Sequence, residues 1–400
     1  MTRAPRLYLI AGEPSGDRLG AGLMRALAAE APGVRFHGVG GPVMASEGLA
    51  SLFDMRELSV MGIAEVLPRL PGLLRRIEHT AADVIARRPD ALITIDSPGF
   101  CLRVAERVRR RMPGIRTIHY VAPSVWAWRP RRASAMARYI DHVLALLPFE
   151  PPYMTRAGIG CDFVGHPAAA RRPASPAAVA ALRTRAGADA GGPLLLLAPG
   201  SRAVEIDRMM PVFAEAVRRI AVAHPGLRVV VPVVQAVAPQ VRAAAAWMTP
   251  APLLIGSEEG DEVKYAALAA ADAALVSLGT VVVETAAAGT AMVSAYRTSW
   301  VTASILRRLA RVDTGNLINL LAGTTVVPEF LQGQCTARQI VPAVLALLQE
   351  PGLRAEQRAA FGPVLDALGR AGEDPSLRAA RSVLEVLRRP AGQGSPPPGS

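Results

Sequence analysis

The chain has 400 residues, room for two or three domains of roughly 150 residues each, which excludes a single small module. Hydrophobic residues make up 51% of it and charged residues 20%, below the roughly 25% of an average globular chain, so most of it can bury a core and wholesale disorder is excluded. The net charge of +12 fits an anionic partner such as a nucleotide, a nucleic acid or an acidic headgroup, but Lys264 is the only lysine, and an arginine-dominated excess is equally what GC-rich codon usage leaves.

Short apolar runs at 7–11, 34–39, 91–95, 116–121 and 142–147 alternate with helical spacing at 19–29, 73–86 and 102–111. Runs too short for helices, separated by amphipathic stretches, predict βαβ units around a parallel sheet. The first run is too brief for a signal-peptide core and Glu13 follows at once, so a cytoplasmic chain is expected. The pattern lapses over 165–176, read as a linker, and resumes with apolar runs at 194–198, 227–231, 253–255, 273–277 and 292–295. Helical spacing fills 206–222, 237–247, 263–269 and 281–288 between them. From 336 to 387 the spacing is helical, with Ile340, Val344, Leu347 and Leu348 on one face, and the Pro/Gly/Ser-rich tail is expected to be disordered. The longest apolar candidate, 266–295, is broken by Asp272, Glu284 and Gly289, so no membrane span is predicted. The predicted fold class is α/β, with two Rossmann-like doubly wound domains, 1–170 and 171–345, facing a central cleft, then C-terminal helices over 346–388 and a tail at 389–400.

Function in such folds is sought in the loops after strands. Gly12-Glu13-Pro14-Ser15-Gly16-Asp17 follows the first run; its glycines permit close approach to a ligand and the helix amides favour an anion or sugar hydroxyl, while Ser15 or Asp17 serves equally well as an N-cap. It is not a G-x-G-x-x-G fingerprint, which argues against a dinucleotide. Asp96, at the end of the run 91–95, has the position of a general base or of a helix cap. Trp126 and Trp128 stand beside Arg129, Arg131 and Arg132, a combination that suits a membrane interface or an anionic amphiphile, or plain packing under a loop. His119 is read as a core histidine outside the chemistry. The segment 60–70 is unusually apolar, with Val60, Met61, Ile63, Val66 and Leu67 flanked by Arg69, Arg75 and Arg76; it reads as a bilayer or acyl-chain contact or as a buried helix.

In the second half, Pro199-Gly200-Ser201-Arg202 follows the run 194–198 and offers amides and a permanent guanidinium charge to a diphosphate. Ser277-Leu278-Gly279-Thr280 is a second such loop, and Glu284, one turn into the next helix, can accept bonds from ribose hydroxyls. Two such loops in one Rossmann-like half point to a sugar nucleotide. Cys101, Cys161 and Cys335 are scattered without C-x-x-C spacing, which predicts neither a disulfide framework nor a zinc site. Aromatics at 4% and no basic recognition helix disfavour a nucleic-acid partner.

In order, the segments AGEPSGDRLGAGL, FHGVGGPVMASEG, LSVMGIAEVLPRL, IDSPGFC, TIHYVAPSVWAWRPRR, LLPFE, FVGHP, APGSRAVEI, LGTVVVE and NLINLLAG, spread over about 7–323, resemble the lipid-A-disaccharide synthase family, glycosyltransferases of the two-Rossmann, GT-B type. The Trp run and the Val-Met-Gly-Ile-x-Glu-Val-Leu run are its most specific parts. The resemblance implies an inverting hexosyltransferase. UDP-2,3-diacylglucosamine donates its sugar to the 6-hydroxyl of 2,3-diacylglucosamine 1-phosphate (lipid X), giving a beta-1,6-linked disaccharide and UDP. It implies Asp96 as the base, Arg202 and the two glycine loops on the diphosphate, Glu284 and Asn319 on the nucleoside, and Ser15, Gly16 and Asp17 near the reacting sugar. No metal or other cofactor is implied. It also implies peripheral attachment to the cytoplasmic face of the inner membrane through Val60 to Leu70 and Trp126 to Arg132, and self-association through the C-terminal part.

The chain departs from the family pattern in places. Pro14 replaces a threonine, Gly99 an aspartate, Cys101 an asparagine, Leu278 a serine and Ile318 a proline. The first four lose a hydroxyl, a carboxylate, an amide and a hydroxyl, so any orientation of Asp96 by the lost carboxylate must come from elsewhere. Two rivals follow: another UDP-sugar enzyme of the same fold, such as a 2-epimerase, and a catalytically silent sugar-nucleotide or lipid binder.

Overall fold

The computed structural model describes residues 3–58, 63–127, 131–189, 191–300, 303 and 312–389, with the side chains of 63–70 also left out. The chain divides into two units, one built from the residues up to Pro167 and those from Ala371 onward, the other from Ala168–Arg370.

The first unit carries strands β1 (Arg6–Ala11), β2 (Arg35–Val39), β3 (Ala91–Ile95), β4 (Arg116–Tyr120), β5 (His142–Ala145) and β6 (Gly160–Phe163). They form one parallel sheet in the order β2-β1-β3-β4-β5-β6. Helices α1 (Pro14–Glu30), α2 (Pro42–Ser46), α3 (Ile63–Arg87), α4 (Pro98–Arg111), α5 (Arg131–Met136) and α6 (Pro151–Thr155) connect them. Parallel strands need crossovers, and the crossovers cover both faces, so these strands read as continuous apolar runs. Alternate residues serve opposite faces: Tyr8, Ile10 and Leu92 pack with Ile77, Ala81 and Val104 of α3 and α4, while Leu7, Leu9 and Ile93 pack with Leu23, Met24 and Leu27 of α1. Each fully buried Leu or Ile is worth about 1.5–3 kcal/mol.

The second unit carries α7 (Pro176–Arg185), β7 (Leu194–Ala198), α8 (Ala203–Ala223), β8 (Arg228–Val233), α9 (Ala238–Ala245), β9 (Leu253–Gly256), α10 (Gly260–Ala270), β10 (Ala273–Val276), α11 (Thr280–Ala287), β11 (Met292–Tyr296), α12 (Leu317–Ala322), β12 (Glu329–Leu331), α13 (Ala337–Gln349) and α14 (Pro351–Ala367). Its parallel sheet runs β12-β11-β10-β7-β8-β9. The α/β class with a doubly wound sheet in each half is therefore as expected from the sequence.

The helices after 336 do not stay together. Ile340, Val344 and Leu347 of α13 join the core of the second sheet with Leu195 and Val293, whereas α15 (Pro375–Arg388) belongs to the first unit. There Ala379, Ala380 and Val383 lie among Leu7, Ile118 and Leu144. An apolar stripe in the sequence announces that a helix is buried but not which sheet it covers, so the reading of 346–388 as one helical group differs from the structure here. α15 starts on Asp374, whose Oδ1 accepts from the amides of Ser376 and Leu377 at 2.8 and 3.2 Å, with Pro375 at its first position. Among the described residues no helix is long and apolar enough to cross a membrane.

Candidate active site

Each sheet reverses its direction of growth once. In the first unit the reversal falls between β1 and β3, and in the second between β7 and β10. Loops after the strands flanking such a reversal open a crevice for ligands.

At the first reversal Ala11 pairs with Ile95, so the loop from Gly12 and the loop from Asp96 emerge side by side. They touch: a Cβ on Gly12 would stand 2.7 Å from Ser97 Oγ, so only glycine fits. Asp96 and Ser97 both adopt left-handed backbone, with φ of 51° and 42°, a strain of about 1–3 kcal/mol each that clusters at functional sites. The Asp96 amide donates to the Tyr120 carbonyl at 2.9 Å, and the Ser97 hydroxyl is buried with no hydrogen-bond partner. Cys101, in the first turn of α4, aims its buried thiol at the carbonyls of Ile10 and Ile95, 3.7 and 3.8 Å away. The thiol that stands for the family's amide is thus a donor that ties α4 to both strand ends, and burial pushes its pKa up. Gly99 is exposed with open space around its Cα, so the missing carboxylate leaves no packing defect.

The other expected residues of this unit divide. Ser15 is half-buried and Gly16 packs against the Ile95 carbonyl. Asp17 is 2% exposed, and its carboxylate accepts from the amides of Gly41, Val43 and Met44 at 2.8–3.0 Å. It therefore fastens the N-terminus of α2, a structural role that the motif did not announce. His119 is 1% exposed, paired with Thr94 Oγ1 at 2.8 Å, and burial drives its pKa down to about 3, in line with its exclusion from the chemistry. Trp126 is half-buried, edge-on to Phe149, and donates to Glu150 at 3.2 Å. Burial raises that carboxyl to about 7. Through these contacts the indole anchors its loop to the residues at 149–150.

Arg131 and Arg132 open α5, the first exposed and the second half-buried. Trp128, Arg129, Val60 and Met61 lie outside the described residues, and Ile63, Val66 and Leu67 fall in the first turns of α3, where only the backbone is described. Further along α3, Leu74 is 39% exposed beside exposed Arg75.

At the second reversal Ala198 pairs with Val276, and the Ser277 amide donates to the Ala198 carbonyl at 2.8 Å, so the two glycine loops lie together. The chain's own Glu205 occupies part of the first. Its Oε2 accepts from the amides of Ser201 and Arg202 at 2.9 and 3.3 Å, and its Oε1 from Arg202 Nη1 at 2.9 Å. A Cβ at Gly200, whose φ is 132°, would meet that carboxylate at 2.5 Å. Glu205 thus reaches back to cap the start of its own helix where an anion site was expected. Gly279 and Thr280 are exposed at the start of α11.

Glu284, 7% exposed, accepts from Lys264 Nζ through both oxygens at 2.7 Å and from the Tyr265 hydroxyl at 2.8 Å. Arg171 stacks on the Tyr265 ring at 3.9 Å. Lys264, Tyr265 and Arg171 were not among the expected residues; the sole lysine of an arginine-rich chain was the one available signal. Asn319 is filled by the backbone, its Oδ1 accepting from Val326 and Val327 and its Nδ2 donating to the Val327 carbonyl, all within 2.9 Å. It staples the loop after α12, with one of its two amide N–H groups engaged in doing so. Among the described residues no group of three or more His, Cys, Asp or Glu is placed to hold a metal.

The sequence profile of the lipid-A-disaccharide synthetase family matches residues 7–368. A lipid-A-disaccharide synthase from Ruegeria pomeroyi is 53% identical over 390 residues, 96% of each chain. One from Rhodospirillum centenum is 46% identical over 385 residues, 96% of this chain and 95% of the relative. Among solved structures, the UDP complex of MnaA from S. aureus superposes with a TM-score of 0.66 at 14% identity, over 98% of this chain and all of that one. The calicheamicin glycosyltransferase CalG4 does so at 0.56 and 17%, over 97% and 99%. At those identities the structures share a fold, while the sequence relatives settle kinship: this chain belongs to the lipid-A-disaccharide synthetase family.

Proposed function

We propose that the chain condenses UDP-2,3-diacylglucosamine with 2,3-diacylglucosamine 1-phosphate into the beta-1,6-linked disaccharide 1-phosphate and UDP. Membership of the family over nearly the whole chain carries this reading. Its α-linked donor and β-linked product call for one in-line displacement. The acceptor 6-hydroxyl attacks C1 of the donor sugar, its proton passes to Asp96, and the bond from C1 to the UDP oxygen breaks as the new bond forms. Asp96 suits the base because it stands at the reversal of the first sheet, its backbone pinned by Tyr120 and its strand end by Cys101. The unpartnered Ser97 hydroxyl beside it is a natural partner for a sugar hydroxyl. The leaving diphosphate gains charge, which the Arg202 guanidinium and the amides at Ser201, Gly279 and Thr280 are suited to meet without a metal. Entry of the diphosphate there exchanges bonds that Glu205 now accepts.

The test is a pair of variants. Asp96→Ala is expected to lower kcat by about 10²–10⁴ with UDP affinity unchanged, as for loss of a general base. Arg202→Ala is expected to weaken UDP binding. Near-normal turnover of the first would remove Asp96 from the mechanism, and unchanged affinity of the second would put the diphosphate elsewhere.

Both substrates carry acyl chains, so we place the enzyme peripherally on the inner membrane, held by the 60–70 segment, by Leu74 and Arg75 of α3, and by Trp128, Arg129, Arg131 and Arg132. Arginine attraction to anionic lipid is screened by salt. Co-sedimentation with phosphatidylglycerol vesicles should therefore fall between about 0.05 and 0.5 M salt; salt-independent binding would leave the arginines without a part in it.

A further inference from the structure

α15 presents a mostly apolar face to the first sheet, broken by Ser382 and, near its start, by a charged residue. Arg378 is half-buried, and its Nε and Nη2 atoms are fully buried without a hydrogen-bond partner. Its guanidinium lies over the Phe163 ring, 5.6 Å from the centroid. Facing the same place is Tyr120, completely buried, its hydroxyl also unpartnered. The phenol senses both Arg378 and Asp374, and burial pushes its pKa up, so it remains a proton donor. Asp374, the carboxylate nearby, has its Oδ1 engaged as the cap of α15 by two amides.

Buried polar groups are as a rule paired, and an unpaired charged donor is the most costly exception. Two guanidinium N–H groups and a phenolic O–H are all donors, a set that selects an oxyanion. The place also fits the chemistry. Tyr120 and Phe163 are the last residues of β4 and β6, at the carboxyl edge of the sheet, and the Tyr120 carbonyl is the group that receives the Asp96 amide. In the reaction proposed above the donor's diphosphate goes to the second unit, leaving one anionic group, the acceptor's phosphate, without a partner. We propose that Arg378 and Tyr120 bind the phosphate monoester of the acceptor sugar, an inference that rests on that reaction and adds the acceptor subsite to it.

The experiment compares kcat/KM for 2,3-diacylglucosamine 1-phosphate and for its dephosphorylated form. The wild type should favour the phosphorylated acceptor. Arg378→Gln should lower kcat/KM for it about ten- to hundredfold, through KM, while leaving the dephosphorylated acceptor and UDP affinity unchanged. Arg378→Lys should recover part of the loss, since a point charge replaces the fork. Tyr120→Phe, which removes one oxygen, should give a smaller loss in the same direction, and it carries the test alone if the Gln variant does not fold.

Variants that keep the full preference for the phosphorylated acceptor overturn the proposal. Equal losses on both acceptors reduce Arg378 to packing, and a loss confined to vesicle binding assigns it to a lipid headgroup phosphate instead. A wild type inactive on both acceptors, yet binding UDP, refutes the reaction and this subsite with it.

Discussion

Asp17 and Asn319 sit in recognisable motifs, yet the backbone claims both of them. Asp17 closes three amides around α2, and Asn319 closes the turn at 326–327. A charge-assisted set of this kind is worth about 1.5–3 kcal/mol. Asp17→Asn should accordingly lower unfolding stability by about that much in a urea titration, with the KM for the donor sugar unaltered in the folded fraction. Unchanged stability with a raised KM would return Asp17 to the sugar. Residue type and motif spacing single out Asp96, Arg202 and Glu284 as candidates in the sequence, because the chemistry they offer is written in their side chains. The partners were not, because Cys101 acting as a donor to two carbonyls, or Glu205 folding back onto its own helix start, depends on backbone atoms brought together by the sheet.

At the scale of elements, ten strands were legible as buried apolar runs, and the two that were not are both at sheet edges. β6 reads Gly-Cys-Asp-Phe and β12 Glu-Phe-Leu, each mostly half-buried; an edge strand needs few apolar residues, and so leaves no run to notice. The destination of α15 was hidden for another reason. Besides its apolar stripe it is held by Ser382, whose hydroxyl donates to Asp162 Oδ2 at 2.6 Å, where His142 Nε2 also meets the carboxylate at 3.0 Å. Hydrogen bonding to His142 first, with Ser382 adding to it, holds Asp162 at about 2, below its usual 3.8. A carboxyl depressed in the folded state adds stability above its unfolded value and loses it as pH falls toward the folded one. Asp162→Asn should thus melt lower than wild type at neutral pH, and the two curves should converge between about pH 4 and pH 2. A constant offset across that window would show that ionisation of Asp162 does not hold α15.

Over the whole molecule, each unit repeats one arrangement: a parallel sheet that reverses direction once, with two loops meeting at the reversal. In the first unit those loops hold a carboxylate on strained backbone, in the second amides, an arginine and an internal carboxylate. On the proposed reading the carboxylate serves as the base and the amides with the arginine meet the leaving diphosphate, and family kinship supplies which sugar. The most direct measurement is UDP release from UDP-2,3-diacylglucosamine in detergent micelles, with and without 2,3-diacylglucosamine 1-phosphate, beside unacylated UDP-glucosamine. Release that requires both acylated substrates is the expected result. Tight binding of both without release, or release from the unacylated donor, would contradict a disaccharide synthase.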